Sequence, residues 1–319
     1  MLLAREVLKS ELIYFEDFFA DSLKSHIPLL QGMMGYILKN KGKQIRPLFA
    51  LLSSKLGGTV NEKSYVAALV VELLHTASLI HDDVVDESMV RRGDFSVNAL
   101  WRSKPAVLGG DILSLNALLV TLTSNDHKIL EIYTGAIGQI IEGEILQLRK
   151  SLRLNLDEKV YFEIITAKTA AFFAAACAAG ASSTFDDEVL IQKMYSFGEK
   201  VGIAFQIKDD LLDYSLSDIG KPRGHDIQDK KITLPLIYTL NHCSPGLKRK
   251  IVKIIKRGKD DDSIGYIVEE VIKAGGIQYA QEKMFKYRDE ALELLYEFPD
   301  SQSRKALEEL VRYTTDRTY

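Results

Sequence analysis

Cysteine is nearly missing from this chain: there are two in 319 residues, Cys177 and Cys243. One lies in an alanine-rich run and the other beside a turn, too few for a disulfide framework or a metal-thiolate site, so a reducing cytoplasm is the expected home. Proline occurs seven times without forming a proline-rich linker. Long apolar runs are scarce as well, and the longest, 170–181, falls short of the ~20 residues that span a bilayer. The opening residues, 1–21, mix charges among apolar side chains, unlike a signal peptide. An excess of one charge is also lacking. With 41 Lys and Arg against 44 Asp and Glu the net charge is −3, which gives nucleic-acid binding no bulk electrostatic support. There is no P-loop, dinucleotide fingerprint, nucleophile elbow or Cys/His zinc spacing, and no covalent nucleophile is evident.

What is present is helical periodicity in a composition that is 46% hydrophobic, enough for a sizeable core. Apolar residues recur at helical spacing over 12–23, 65–85, 112–122, 129–148, 161–179, 189–212 and three further stretches after Leu234, with no convincing alternating strand. Asn61, Pro105 and Ser183 or Thr184 mark helix starts, while Gly57-Gly58 and Gly180 mark stops. The fold class is all-α, a dozen or so helices in a single domain over 1–319. The longest polar break, 215–231, is an exposed loop or a lid.

Two aspartate clusters of one design stand far apart, Asp82-Asp83-x-x-Asp86 and Asp209-Asp210-x-x-Asp213. Residues four apart share a helix face, so each cluster gathers carboxylates that repel one another unless cations fill the patch. Mg2+ suits such a patch, because it takes one or two carboxylates and completes its shell with water and phosphate oxygens. Asp186-Asp187-Glu188 and Asp260-Asp261-Asp262 lack the four-residue spacing and read as helix-start charges or solvated loop. Val71, His75, Ser78, Asp82 and Asp86 share one face, the side of a cavity rather than of a core. Lys43, Arg46, Arg91, Arg92, Lys168, Lys221 and Lys231 add cations suited to phosphate, and Thr169 adds a hydroxyl.

In these residues the chain resembles the trans-isoprenyl diphosphate synthase, or polyprenyl synthetase, family. The matching elements are Gly42-Lys43-x-x-Arg46-Pro47, His75, the first aspartate motif, Arg91-Arg92-Gly93, Gly110-Asp111, Lys168-Thr169, Phe205-Gln206 leading into the second motif, Gly220-Lys221, and Lys231-Ile232-Thr233-Leu234-Pro235. One departure is Lys230, where the family often has glycine. The resemblance implies an isoprenoid-synthase helical bundle around a deep central cavity, usually a homodimer, with three Mg2+ ions between facing motifs. Asp82, Asp86 and Asp209 would ligate Mg2+, with Asp83, Asp210 and Asp213 binding water or orienting their neighbours. Arg91, Lys168 and Lys231 would hold the allylic diphosphate, farnesyl diphosphate being the expected primer. Lys43, Arg46, His75 and Arg92 would hold isopentenyl diphosphate, and Thr169 and Gln206 would border the reacting carbons. Residues 215–231 would close over the site.

In such enzymes bulky residues just before the first motif keep the product short. Ala77 and Ser78 are small, with Leu74 and Val71 deeper on the same helix, so the expected product is a long-chain all-trans polyprenyl diphosphate of the kind attached to respiratory quinones, passed on to membrane enzymes. The alternatives are a short-chain farnesyl or geranylgeranyl synthase, a terpene cyclase, a head-to-head synthase and a non-catalytic helical partner subunit. The second aspartate motif and the set Lys43, Arg46, His75 favour condensation over cyclisation.

Overall fold

The structure is a computed structural model that describes residues 1–151, 157–214, 224–229, 231–257 and 261–317. In chain order its helices are α1 Leu2–Val7, α2 Lys9–Ser22, α3 Pro28–Lys39, α4 Ile45–Gly57, α5 Glu62–Val85, α6 Val97–Trp101, α7 Ser103–Thr123, α8 His127–Ser151 and α9 Glu158–Ile165. A π-turn, Thr166–Ala170, follows directly, then α10 Ala171–Ser182, α11 Glu188–Leu212, α12 His225–Gln228, α13 Leu234–His242, α14 Pro245–Arg257, α15 Asp261–Lys273, α16 Gly276–Tyr296 and α17 Gln302–Asp316. Among the described residues there are thus more helices than the periodicity indicates, five rather than three of them after 233. Among the described residues the only strands are two short ones that form a hairpin, β1 Val90–Arg91 and β2 Asp94–Phe95. Its turn residues, Arg92 at φ 57° and Gly93 at φ 86°, both adopt positive φ, as a tight two-residue hairpin turn requires.

The chain divides into two compact units: Met1–Gly135, Ala175–Tyr195 and Phe298–Glu309 form one, and Ala136–Ala174, Ser196–Glu297 and Leu310–Tyr319 the other. In the first, α5 packs between α4 and α7. Asn61 caps α5 in a reciprocal box with Ser64, whose backbone N–H donates to Asn61 Oδ1 at 3.2 Å while Ser64 Oγ accepts from Asn61 N at 3.1 Å. Behind this cap Ser54, Ser64 and Ser183 join hydroxyls in a buried cluster, and Thr184 donates to the Ser54 carbonyl at 2.7 Å. Ser183 and Thr184 therefore tie α4 to the end of α10 instead of starting α11. Asp187 does that, its carboxylate accepting from Val189 N at 2.8 Å.

Gly180 is likewise not a stop. It lies inside α10, where a Cβ would strike the Ala50 carbonyl of α4, so its smallness serves helix contact. Gly57 does end α4. Three helical stretches, Glu62–Val85, Ser103–Thr123 and Glu158–Ser182, are long and apolar enough to cross a membrane by length and composition. Most of the first and third is buried inside the protein as core. In contrast α7 leaves Leu108, Leu115, Leu119 and Leu122 about half exposed along one stripe.

The second unit has two apolar clusters. One gathers Tyr161, Ile203, Ile207, Leu234 and Met284; the other gathers Leu236, Ile251, Ile255, Ile267 and Val271 beneath α14 and α15.

Candidate active site

Asp82 and Asp83 lie in the last turn of α5 and Asp86 is its C-cap, yet their side chains have different surroundings. Asp83 is 2% exposed and clamped by Arg91, whose Nε and Nη2 both donate to Oδ1 at 2.7 Å. Burial pushes its carboxyl above the ordinary value, and Arg91 opposes that shift. Asp86 is exposed and Asp82 half-buried, so the outer pair keeps access to solvent. The hairpin that presents Arg91 also places Arg92 against Gly42, where a Cβ would collide with the guanidinium. Gly42, Lys41, Glu72, His75, Asp83, Arg91 and Arg92 line one pocket.

Within this unit Arg46 lies beside His75, Nη1 to Nε2 at 2.9 Å. Arginine only donates, so His75 Nε2 accepts and the ring is neutral, with its proton on Nδ1. Burial, then the charges of Arg46, Arg92 and Arg91, hold the imidazole well below its usual pKa, in agreement with that geometry. Periodicity alone did not single out Glu72. It is 5% exposed, three residues before His75, and burial raises its pKa while Arg46, Arg92 and Lys41 pull it down. Lys43 is exposed, and its backbone carbonyl accepts from Arg5 at 3.2 Å. Ala77 is buried at 2% exposure and Leu74 at 5%, while Ser78 is half-buried and donates to the His75 carbonyl at 2.9 Å.

The second unit repeats the scheme with different chemistry. Asp210, fully buried, accepts from Tyr161 Oη at 2.7 Å, Gln206 Nε2 at 2.9 Å and Lys231 Nζ at 3.2 Å. Thr169 Oγ1 donates to Gln206 Oε1 at 2.7 Å, which extends the chain of bonds to the π-turn. Lys231 also reaches Asp226 at 3.2 Å. Burial raises Asp210 and would lower Lys231, but the two carboxylates outweigh it and push the ammonium well above its ordinary range.

Asp209 is 42% exposed and pairs with Arg317 at 2.5 Å, whose guanidinium stacks over Phe205 at 4.1 Å. Asp213 accepts from the backbone N–H of Asp226 at 3.2 Å. Lys168, on the π-turn, is ion-paired with Glu144. Thr169, Gln206, Asp210 and Lys231 are thus brought together. Tyr161, Asp226, Glu144 and Arg317 join the site without a sequence signal, since each meets its partner only through folding. Lys221, Gly220, Lys230 and most of 215–231 lie outside the described residues.

No group of three or more His, Cys, Asp or Glu side chains converges as a metal cage among the described residues. The accessible outer carboxylates fit Mg2+ nonetheless, because that ion keeps several water and phosphate ligands and needs few protein oxygens. Cys177 offers no alternative chemistry: burial lifts its thiol to about 12 and keeps it protonated.

A family model described as polyprenyl synthetase matches residues 27–271. The heptaprenyl diphosphate synthase component 2 of Bacillus subtilis is 31% identical over 99% of this chain and 91% of its own length. The octaprenyl diphosphate synthase of Escherichia coli is 32% identical over 93% of each. Among solved structures, the polyprenyl synthase of Caulobacter crescentus complexed with calcium and isoprenyl diphosphate superposes with a TM-score of 0.93 at 33% identity, covering 99% of this chain and 98% of that one. The product lengths in the names of such matches run from geranylgeranyl to decaprenyl.

Proposed function

This chain belongs to the polyprenyl synthetase family of prenyltransferases, and from that premise we propose that it condenses isopentenyl diphosphate with an allylic diphosphate, farnesyl diphosphate first, into a long-chain all-trans polyprenyl diphosphate. The observation that carries the reading is the repeated motif. In each copy the middle aspartate is locked to a cation and the first remains accessible.

Asp82, Asp86 and Asp209 would hold Mg2+, three ions on the family pattern. When bound, Mg2+ supplies electron withdrawal from the diphosphate leaving group. Arg91, Lys168 and Lys231 would neutralise that diphosphate, each already poised on a carboxylate that it can share with the incoming charge. Lys43, Arg46 and Arg92 would hold isopentenyl diphosphate. His75, neutral and accepting from Arg46, orients the guanidinium and carries no competing positive charge. Thr169 and Gln206 would border the reacting carbons, with Gln206 held at both ends of its amide. The proton lost on condensation goes to the released diphosphate, so no protein base is required.

The length assignment is supported by the small side chains at Ala77 and Ser78, one turn before Asp82. Ala77 is already buried, so Ser78→Phe is the cleaner test and should shorten the product; an unchanged length removes the argument. Homodimerisation is supported by the stripe Leu108, Leu115, Leu119 and Leu122 on α7, apolar surface of the sort a second copy covers. The family match runs through residues of both units, which supports one functional domain. Two free thiols support a cytoplasmic location.

A second reading is favoured by one observation: a relative matched over nearly the whole chain is named as component 2 of its synthase. On that reading this chain works with a different subunit. Incubating the purified chain with labelled isopentenyl diphosphate, farnesyl diphosphate and Mg2+, then separating the dephosphorylated products, decides between them. A ladder beyond about six isoprene units is expected. A product that stops at geranylgeranyl refutes the length, and no incorporation without a second component favours the two-subunit reading.

A further inference from the structure

Helix α14 departs from the charge pattern of the rest of the molecule. In a chain of net charge −3, its sequence PGLKRKIVKIIKR contains six cations, Lys248, Arg249, Lys250, Lys253, Lys256 and Arg257, and not one Asp or Glu. Ile251 and Ile255 are buried against α13 and α15, which turns Arg249, Lys253 and Lys256 outward along the opposite face, all three exposed. Positive charges at i, i+3 and i+4 repel and disfavour the helix that carries them.

Other surface helices relieve such repulsion with carboxylates: Lys273 pairs with Glu269 and Glu270, Lys286 with Glu290, and Arg304 with Asp300. Lys248, Arg249, Lys250, Lys253 and Lys256 have no ion pair among the described residues; Lys250 rests instead over the Tyr266 ring at 3.8 Å. Half-buried Val252 lies in a groove lined by Lys248, Arg249, Lys253 and Lys256, an apolar strip set among cations.

We propose that the outer face of α14 docks this protein onto the anionic surface of a lipid bilayer. An amphipathic helix with a cationic face and an apolar flank is the form that lies in a headgroup layer. Aromatic side chains that would stack nucleic-acid bases are absent from α14, which argues against a nucleic acid as the occupant. The choice of lipid rests in part on the prenyl-transfer reading, in which each five-carbon addition makes the product less soluble in water and more in need of a bilayer.

The test is cosedimentation of the full chain with vesicles of phosphatidylcholine alone or mixed with phosphatidylglycerol, alongside an Arg249→Ala/Lys253→Ala variant. Prenyl transfer in detergent is measured on the same preparations. Binding should require phosphatidylglycerol and weaken with salt. It should fall roughly thirty-fold in the variant, from about fivefold per surface cation, while transfer in detergent stays unchanged. Equal binding to both vesicle types, or undiminished binding by the variant, overturns the proposal. So does binding of RNA through α14 in the absence of vesicle binding. Vesicle binding that follows this pattern in a preparation without transfer activity sustains the docking and refutes only the reaction reading.

Discussion

The two aspartate motifs share a sequence pattern and differ in how their middle carboxylate is neutralised. Asp83 meets a guanidinium from a hairpin eight residues away, a local device assembled from one turn of chain. Asp210 is served by Tyr161, Gln206 and Lys231, drawn from α9, α11 and the segment before α13, so its neutralisation waits on the packing of the second unit. The first motif is a nearly self-contained piece of local structure, whereas the second is a product of tertiary folding. In both, the buried middle aspartate is held at the helix end by its donors, while the first aspartate of the motif keeps exposed surface.

If that division of labour holds, Asp82→Ala and Asp209→Ala should each lower turnover roughly a hundred- to a thousand-fold with little change in melting temperature. A large loss of stability in either would break the comparison at its base. Next in size is Asp210→Ala, which takes the acceptor from the buried Tyr161 hydroxyl and the half-buried Gln206 amide together and leaves Lys231 with Asp226 alone, and should cost about 2–4 kcal/mol in urea unfolding. Asp83→Ala should cost only about 1–2 kcal/mol, because Arg91 is 35% exposed and water can take the place of its partner. Equal costs would show that the two anchors are equivalent.

A smaller effect concerns pH. The unfolded chain protonates His75 near pH 6.5, but the folded protein resists doing so. The unfolded state therefore binds more protons, and stability should be complete above about pH 6.5 and decline as pH falls below it. His75→Asn should flatten that decline relative to the parent, as followed by thermal melts. The smallest effect expected is at Arg317. Removing it by Arg317→Ala frees Asp209 from an ion pair and should raise Mn2+ affinity a few-fold by calorimetry. Weakened affinity would make Arg317 a support of the metal site instead of a competitor.

Much of this arrangement was legible in the sequence because charge repeated at helical spacing is informative without a partner. Asp82 and Asp86, and His75 seven residues earlier, could be placed on one face by counting. Glu72 shares α5 with them but looks like any polar residue until Arg46 and Arg92 converge on it. Tyr161 and Arg317 find their aspartates across 49 and 108 residues, distances over which periodicity says nothing. Gly180 shows the complementary error, since a glycine that ends a helix and one that admits a neighbouring helix are written with the same letter. The helices after 233 read as fewer, longer stretches because joints such as Cys243-Ser244 and Ala274-Gly275 are only two residues long.

The π-turn at Thr166–Ala170 sets an arithmetic constraint on this half of the molecule. Eight residues separate Tyr161 from Thr169, and a straight α-helix would carry the second about 80° past the first after two turns. The extra residue in the wider turn absorbs that excess, so one hydroxyl reaches Asp210 and the other reaches Gln206 beside it. Length in this segment is therefore a matter of phase. Straightening this turn into regular α-helix at unchanged length would keep every side chain of the network yet carry Thr169 about 80° out of step with Tyr161, like two gears that have slipped by a tooth.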